Sequence, residues 1–245
     1  MDFPMKMICT ICARAGSQGV KNKNIISFLG KPLVAHTIIQ AQQSNLFDHI
    51  VVSTDSIALK EIALQYGVDL VVDRPEALAT ATAAKIPAIQ HAVECAEMTL
   101  NLGKPFDIIM DLDVTSPLRE VADIKNAMHQ FQKKRQAENL ISATPSRRSP
   151  YFNMIEIDDQ DVVRLVKPLE NNIVRRQDAP KCYDMNASIY IWRRVALFST
   201  QGLFSPHTEV YLMPEERSYD IDSELDLEIV RMIGEKNKGV TLNDE

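Results

Sequence analysis

Short apolar runs alternate with helical patterns along the first 145 residues, and the runs are of strand length. KMICTIC (6–12) comes first, followed by the helical PLVAHTIIQAQQ (32–43). HIVVST (49–54) reads as a strand and SIALKEIALQYG (56–67) as a helix ending at glycine. VDLVVD (68–73) is a short strand. AAKIPAIQHAVECAEMTL (83–100) is helical, with Ile86, Ile89, Val93 and Ala96 on one face and Pro87 in the tolerant first turn. DIIMDLD (107–113), VADIKNAMHQFQKK (121–134) and LISATP (140–145) continue as strand, helix and strand. This order predicts an α/β fold: a mostly parallel sheet with helices on both faces and right-handed crossovers. A chain of 245 residues can bury such a core as one domain over 1–245.

The pattern loosens at 146–182, which is polar and charged with short β-like pieces such as MIEI and DVVRLV. It reads as an insertion that returns to the sheet, an arm suited to subunit contact. NASIYIW (186–192) and VYLMP (210–214) are further strands. SELDLEIVRMIGEK (223–236) is a closing helix with Ser223 as its N-cap. Cys9 and Cys12 form a CxxC, but they lie in a strand where positions three apart face opposite sides, so free buried thiols are expected instead of a metal or redox pair. No apolar run reaches membrane-spanning length, and MDFPMK lacks an apolar signal core, so a cytoplasmic chain is expected. A net charge of −6 argues against broad nucleic-acid binding.

Against that charge, ICARAGSQGVKNKNI (11–25) stands out: it holds Arg14, Lys21 and Lys23 and no acid. It follows the first strand, and ligands of parallel sheets bind beyond the strands' carboxyl ends. Gly16 and Gly19 permit tight turns and close backbone approach, so successive N–H groups and the three cations can cradle a phosphate-bearing ligand. The spacing is neither a Walker A nor GxGxxG. In DLDVTSPLR (111–119), Asp111 and Asp113 alternate at a strand end and can face one side. In YDIDSELD (219–226), Asp220 and Asp222 do the same before a helix. Either pair could hold a divalent metal carrying phosphates, or could cap turns and helix starts. In RRQDAPKCYDMNASIY (175–190), Arg175 and Arg176 could grip a carboxylate and Asn186 a sugar hydroxyl.

ARAGSQGVKNKN, VVSTD, RPEALA, TSPLR, RRQDAP, NASIYI and YDIDSELDLEIV, in this order, resemble the acylneuraminate cytidylyltransferases, the CMP-sialic acid synthetases and their relatives, from about residue 7 to 235. The resemblance implies a nucleotidyltransferase fold, a homodimer, CTP and Mg²⁺, and transfer of CMP to a 2-keto sugar acid with release of pyrophosphate. It implies that Ala13, Arg14, Ser17, Lys23, Asn24 and Arg74 bind the nucleotide, with Arg14 and Lys23 catalytic. Asp220 and Asp222 match the metal pair. Asp113, Arg176, Asn186 and Tyr190 match sugar-side positions.

The chain departs from the sialic acid pattern in four places. LQPTSPLR is LDVTSPLR here, so Asp113 replaces a glutamine. FRPNGAIY is YDMNASIY, so Asp184 replaces an arginine. Lys85 stands where a small polar residue is frequent, and Gln18 replaces a loop lysine. A nonulosonic acid such as legionaminic acid is therefore weighed equally with N-acetylneuraminic acid. Two other readings are carried forward: a glycosyltransferase using Asp111 and Asp113 as a metal-binding DxD, and a nucleotide-binding protein without turnover.

Overall fold

The computed structural model describes residues 5–16, 19–169, 175–199 and 202–241, with backbone only from 238. In chain order the elements are β1 (Met7–Cys12), β2 (Ser27–Phe28), β3 (Lys31–Pro32), α1 (Leu33–Ser44), β4 (His49–Thr54), α2 (Ile57–Gln65), β5 (Leu70–Asp73) and α3 (Lys85–Thr99). Then come β6 (Ile108–Leu112), α4 (Val121–Lys133), β7 (Asn139–Pro145), β8 (Ile155–Ile157), β9 (Val163–Leu165), β10 (Tyr183–Arg193), α5 (Arg194–Ser199), β11 (Thr208–Leu212) and α6 (Glu224–Thr241).

Seven strands form one sheet in the order β11-β7-β10-β6-β1-β4-β5. All run the same way except β10, which is antiparallel to both neighbours. The expected strand at 186–192 is thus real but longer, and it reverses direction because the chain enters it from the 146–182 insertion without a crossover helix. That insertion contributes the β8–β9 hairpin, built from the two pieces that read as β-like. Helix α5 was not visible as a helical period, being only six residues long. No helix among the described residues is long and apolar enough to cross a membrane.

Period-two alternation places successive side chains of the central strands in two cores. Cys9 and Ile11 of β1, Met110 and Leu112 of β6, and Ile189 and Ile191 of β10 pack toward α1, α4 and α6. Ile8, Ile109 and Trp192 pack toward α3 and α5. Cys9 and Cys12 fall on opposite faces, as the strand period requires, and both are free thiols.

Polar pins lock the strand ends. Arg119 is fully buried. It donates to the Ser188 carbonyl (2.7 Å), the Ser188 hydroxyl (3.2 Å), Gln40 Oε1 (3.0 Å) and Thr37 Oγ1 (3.3 Å), joining α1, the loop after β6, and β10. Burial drives its pKa down to about 10, so it remains charged at neutral pH. On α4, Asp123 is also fully buried. It accepts from Nε and Nη2 of Arg217, at 2.9 and 3.0 Å, and so ties the helix start to the chain after β11.

Replacing Arg119 with methionine keeps most of the packing but orphans the Ser188 carbonyl. The Arg119→Met variant is expected to lose about 2–4 kcal/mol, read as a lower urea midpoint at unchanged m-value. An unshifted midpoint would show that water replaces the guanidinium without cost.

Candidate active site

A cavity of ≈ 440 Å³ opens at the carboxyl ends of the parallel strands, where the first loop, the turn after β5, the start of α3 and the segment before α6 converge. The loop is anchored from below. The Ala13 N–H bonds the Ser53 carbonyl (3.0 Å), and the Ala15 N–H bonds Asp55 Oδ1 (2.8 Å). Asn22 takes a left-handed conformation (φ 54°) that turns the chain into a 3₁₀ turn at Lys23–Ile25. Asn24 then donates back to the Arg14 carbonyl (3.0 Å), closing the loop on itself.

Gly19 is required by packing. A Cβ there would sit 1.8 Å from the Asp222 carbonyl oxygen. Beside this contact Lys23 Nζ donates to the Ile221 carbonyl and to Asp222 Oδ1 (2.8 Å). The first loop and the 219–223 segment are therefore one unit, although nearly 200 residues separate them. A Cβ at Gly16 would meet nothing within 4 Å, so no packing against the described residues demands glycine there.

Six of the nucleotide-side and metal-side residues named from sequence line this one cavity: Ala13, Arg14, Lys23, Asn24, Arg74 and Asp222. Arg14 reaches across it to the Thr80 carbonyl. Arg74 is nearly buried and bonds Ser53 through Nε (3.2 Å to Oγ) and Nη2 (2.8 Å to the carbonyl). Ser17 lies outside the described residues. The sugar-side residues divide. Asp113 lines the same cavity, with Oδ1 taking the N–H and hydroxyl of Thr115, both at 3.0 Å. Tyr190 lies beneath it, buried and stacked on Trp192 at 5.6 Å.

Asn186 is turned inward at a β-bulge in β10, next to Ala187 at φ 51°. Its amide is occupied by Ser142 Oγ (2.6 Å) and Ser218 Oγ (2.9 Å), so it braces the site from within. A smaller depression of ≈ 230 Å³ holds Asp184 and Asp220 beside it. Arg176 lines a separate cleft of ≈ 590 Å³ beneath the arm and bonds the Ser146 carbonyl (2.8 Å).

The acidic residues behave as two different pairs. Asp111 is fully buried. Thr10 donates to its Oδ1 (2.8 Å), and Lys85 Nζ stands 3.1 Å from its Oδ2. The same ammonium bonds Asp113 Oδ2 at 2.7 Å and lies 4.4 Å from the Tyr190 ring centre. Burial would raise the Asp113 pKa, but Lys85 and Thr115 outweigh it and hold the carboxyl at about 2. A DxD metal site for a glycosyltransferase needs open carboxylates, and this pair is closed by a lysine.

Asp222, by contrast, has a side chain 75% exposed, whose one ion pair among the described residues is with Lys23. Asp220 is pushed above the usual carboxylate range, first by burial and then by Asp222 and Asp113. That crowding of negative charge is what a divalent cation relieves. Two carboxylates suit Mg²⁺, which keeps waters and phosphate oxygens as its other ligands. No group of three or more potential protein ligands occurs among the described residues.

The family model for cytidylyltransferases matches residues 8–245. The chain belongs to the cytidylyltransferase family. It is 47% identical over 233 residues to the post-translational flagellin modification protein B of Campylobacter coli, covering 95% of this chain and 97% of that one. It is 45% identical over 228 residues to the CMP-N,N'-diacetyllegionaminic acid synthase of Campylobacter jejuni, covering 93% and 94%. Among solved structures, the CTP complex of CMP:2-keto-3-deoxy-manno-octonic acid synthetase shares the fold. Its TM-score is 0.69 at 16% identity, over 95% of this chain and 99% of that one.

Sequence reasoning noted Lys85 as a departure but assigned it no place in the site. The signal was there: a lysine opening a helix, where the dipole disfavours a cation, needs a local carboxylate to hold it. Thr10, Ser53 and Thr80 carried no comparable signal, since their partners come from other strands and loops.

In Gly19→Ala the Asp222 carbonyl must retreat by about 1 Å. The expected outcome is a smaller rise in melting temperature on adding CTP than the unaltered chain gives. An undiminished shift would mean that loop and carboxylate segment can separate without harm to the site.

Proposed function

We propose that this cytidylyltransferase joins CMP from CTP to the anomeric hydroxyl of a nonulosonic acid and releases pyrophosphate. The observation that carries the reading is the meeting of the basic loop with the aspartate-bearing 219–223 segment, Lys23 against Asp222, at the carboxyl ends of the sheet. Phosphate-bearing ligands need such cations and backbone donors, and Asp220 and Asp222 are the carboxylates that would hold Mg²⁺. When bound, Mg²⁺ supplies charge neutralisation on the triphosphate.

The sugar hydroxyl oxygen attacks the α-phosphorus and gives up its proton to solvent, the α–β bridging P–O bond breaks, and pyrophosphate leaves with the electron pair. Arg14 and Lys23 offset the negative charge that spreads over the phosphate oxygens. Arg74, pinned to Ser53, fixes the nucleotide side of the cavity. Asp113, fixed by Lys85 and Thr115, forms the floor at the acceptor side.

A legionaminic-type acceptor is favoured over N-acetylneuraminic acid by the 45% identity to a CMP-N,N'-diacetyllegionaminic acid synthase. The carboxylates at Asp113 and Asp184 agree with it, because they change the charge on the sugar side. A homodimer is part of this reading. The β8–β9 hairpin exposes Ile155, Ile157 and Val163, an apolar surface suited to burial against a second copy.

The deciding assay is pyrophosphate release from CTP and Mg²⁺ with a panel of N-acetylneuraminic, legionaminic, pseudaminic and deoxy-octulosonic acids. Turnover with the legionaminic acid is expected. CTP binding with no turnover on any acid would instead favour a nucleotide-binding protein. Two variants probe the roles. Lys23→Ala is expected to lower kcat roughly 10²-fold. Asp222→Ala is expected to remove Mg²⁺-dependent turnover; wild-type rates in that variant would place the metal elsewhere.

A further inference from the structure

Lys85 opens α3 behind an N-cap, Ala84, that offers no side-chain hydrogen bond. A helix N-terminus carries partial positive charge, so a lysine there is locally unfavourable unless something nearby holds it. Three groups do. Asp113 Oδ2 accepts its hydrogen bond at 2.7 Å, Asp111 Oδ2 lies at 3.1 Å, and the Tyr190 ring faces it at 4.4 Å. The cation is thus committed to the protein, although its side chain is 30% exposed to the cavity.

The pair it serves cannot stand alone. Asp111 is fully buried, its Oδ2 has no hydrogen-bond donor among the described residues, and the Lys85 ammonium is the charge that stands against it, at 3.1 Å. A buried carboxylate without a counter-charge either takes up a proton or recruits a cation. Asp111 and Asp113 are two apart on one strand face, so their Oδ2 atoms converge on a single point. The Lys85 ammonium occupies that point. Across the cavity rim, no lysine among the described residues bridges Asp220 and Asp222: Lys23 pairs with Asp222 and also donates to the Ile221 carbonyl.

We propose that Lys85 is a built-in counter-cation that keeps the Asp111–Asp113 pair closed to divalent metal. It is a positioning residue. It holds Asp113 ionised and fixed at the cavity floor, and it leaves the site's metal affinity to Asp220 and Asp222. The inference builds on the proposed function only for the role of that second pair. Its premise, a lysine locking two carboxylates, stands whatever the acceptor is.

The test counts metal directly, without nucleotide or sugar. Free Mn²⁺ is titrated by electron paramagnetic resonance against the full chain and its variants, with circular dichroism as the check on folding. In the wild type, Asp113→Asn is expected to leave the number of bound Mn²⁺ unchanged. Lys85→Met is expected to bind one further Mn²⁺ with a Kd of about 1 mM or tighter. The double variant Lys85→Met/Asp113→Asn is expected to lose that ion again. The proposal is overturned if Asp113→Asn removes a Mn²⁺ from the wild type, or if folded Lys85→Met gains none. Should Lys85→Met fail to fold, the comparison of wild type with Asp113→Asn decides. Failure of the cytidylyltransfer reading would show separately, as absent pyrophosphate release by the wild type.

Discussion

A carboxylate buried at the centre of the sheet organises the site. Asp111 sits in β6 between β1 and β10, with no exposed surface. An ion in such a position costs several kcal/mol unless it is paired and hydrogen-bonded. Thr10 from the neighbouring strand and Lys85 from the start of α3 meet that need. The pairing fixes where α3 begins relative to the strand ends. It also sets the register of the cavity wall, because Lys85 must reach both Asp111 and Asp113. The same charge acts on the thiols: burial foremost, with Asp111 adding to it, raises Cys9 and Cys12 well above ordinary cysteine values. Both shifts favour the protonated thiol at neutral pH.

Much of the scaffold was legible in the sequence for a physical reason. Strands buried on both faces are short apolar runs, and the helices between them carry a clear period. KMICTIC, HIVVST and DIIMDLD therefore became β1, β4 and β6 with ends displaced by a residue or less. The start of α6 was equally readable: the Ser223 hydroxyl accepts the Asp226 N–H, and Asp226 takes the Ser223 N–H in return. The direction of β10 was not readable. Residues 186–192 are apolar on both faces, as in any central strand, and direction depends on how the chain returns from the arm. Nor could spacing foresee the bulge at Met185–Tyr190 that turns Asn186 inward, because a bulge is set by the partner strand.

The site was legible in its cations and less so in its anions. A basic glycine loop after the first strand has few structural uses, so Arg14, Lys23 and Asn24 pointed to the cavity they line. The two aspartate pairs looked alike in sequence, both DxD-like at the end of an extended piece. Only the position of a lysine 26 and 28 residues upstream separates them, and it separates them completely.

The clasp between Lys23 and Asp222 has a further consequence for how a charged ligand enters. Asp226 anchors the backbone of Asp222 (3.1 Å) and Ser223 (2.7 Å), so the segment does not need the Lys23 ion pair to hold its shape. The Asp222 side chain is free to change partner on a fixed backbone. A triphosphate would compete for Lys23 with more charge than one carboxylate, itself 75% exposed to water, can offer. Under the proposed function the exchange would have Lys23 turn to phosphate and leave Asp222 to a cation, with the backbone unmoved. Asp111 and Asp113 cannot make the same exchange, because Asp111 has no exposed surface and parting it from Lys85 would strand its charge in the core. One pair is built to switch and the other to stay, and the difference lies in how much water reaches each.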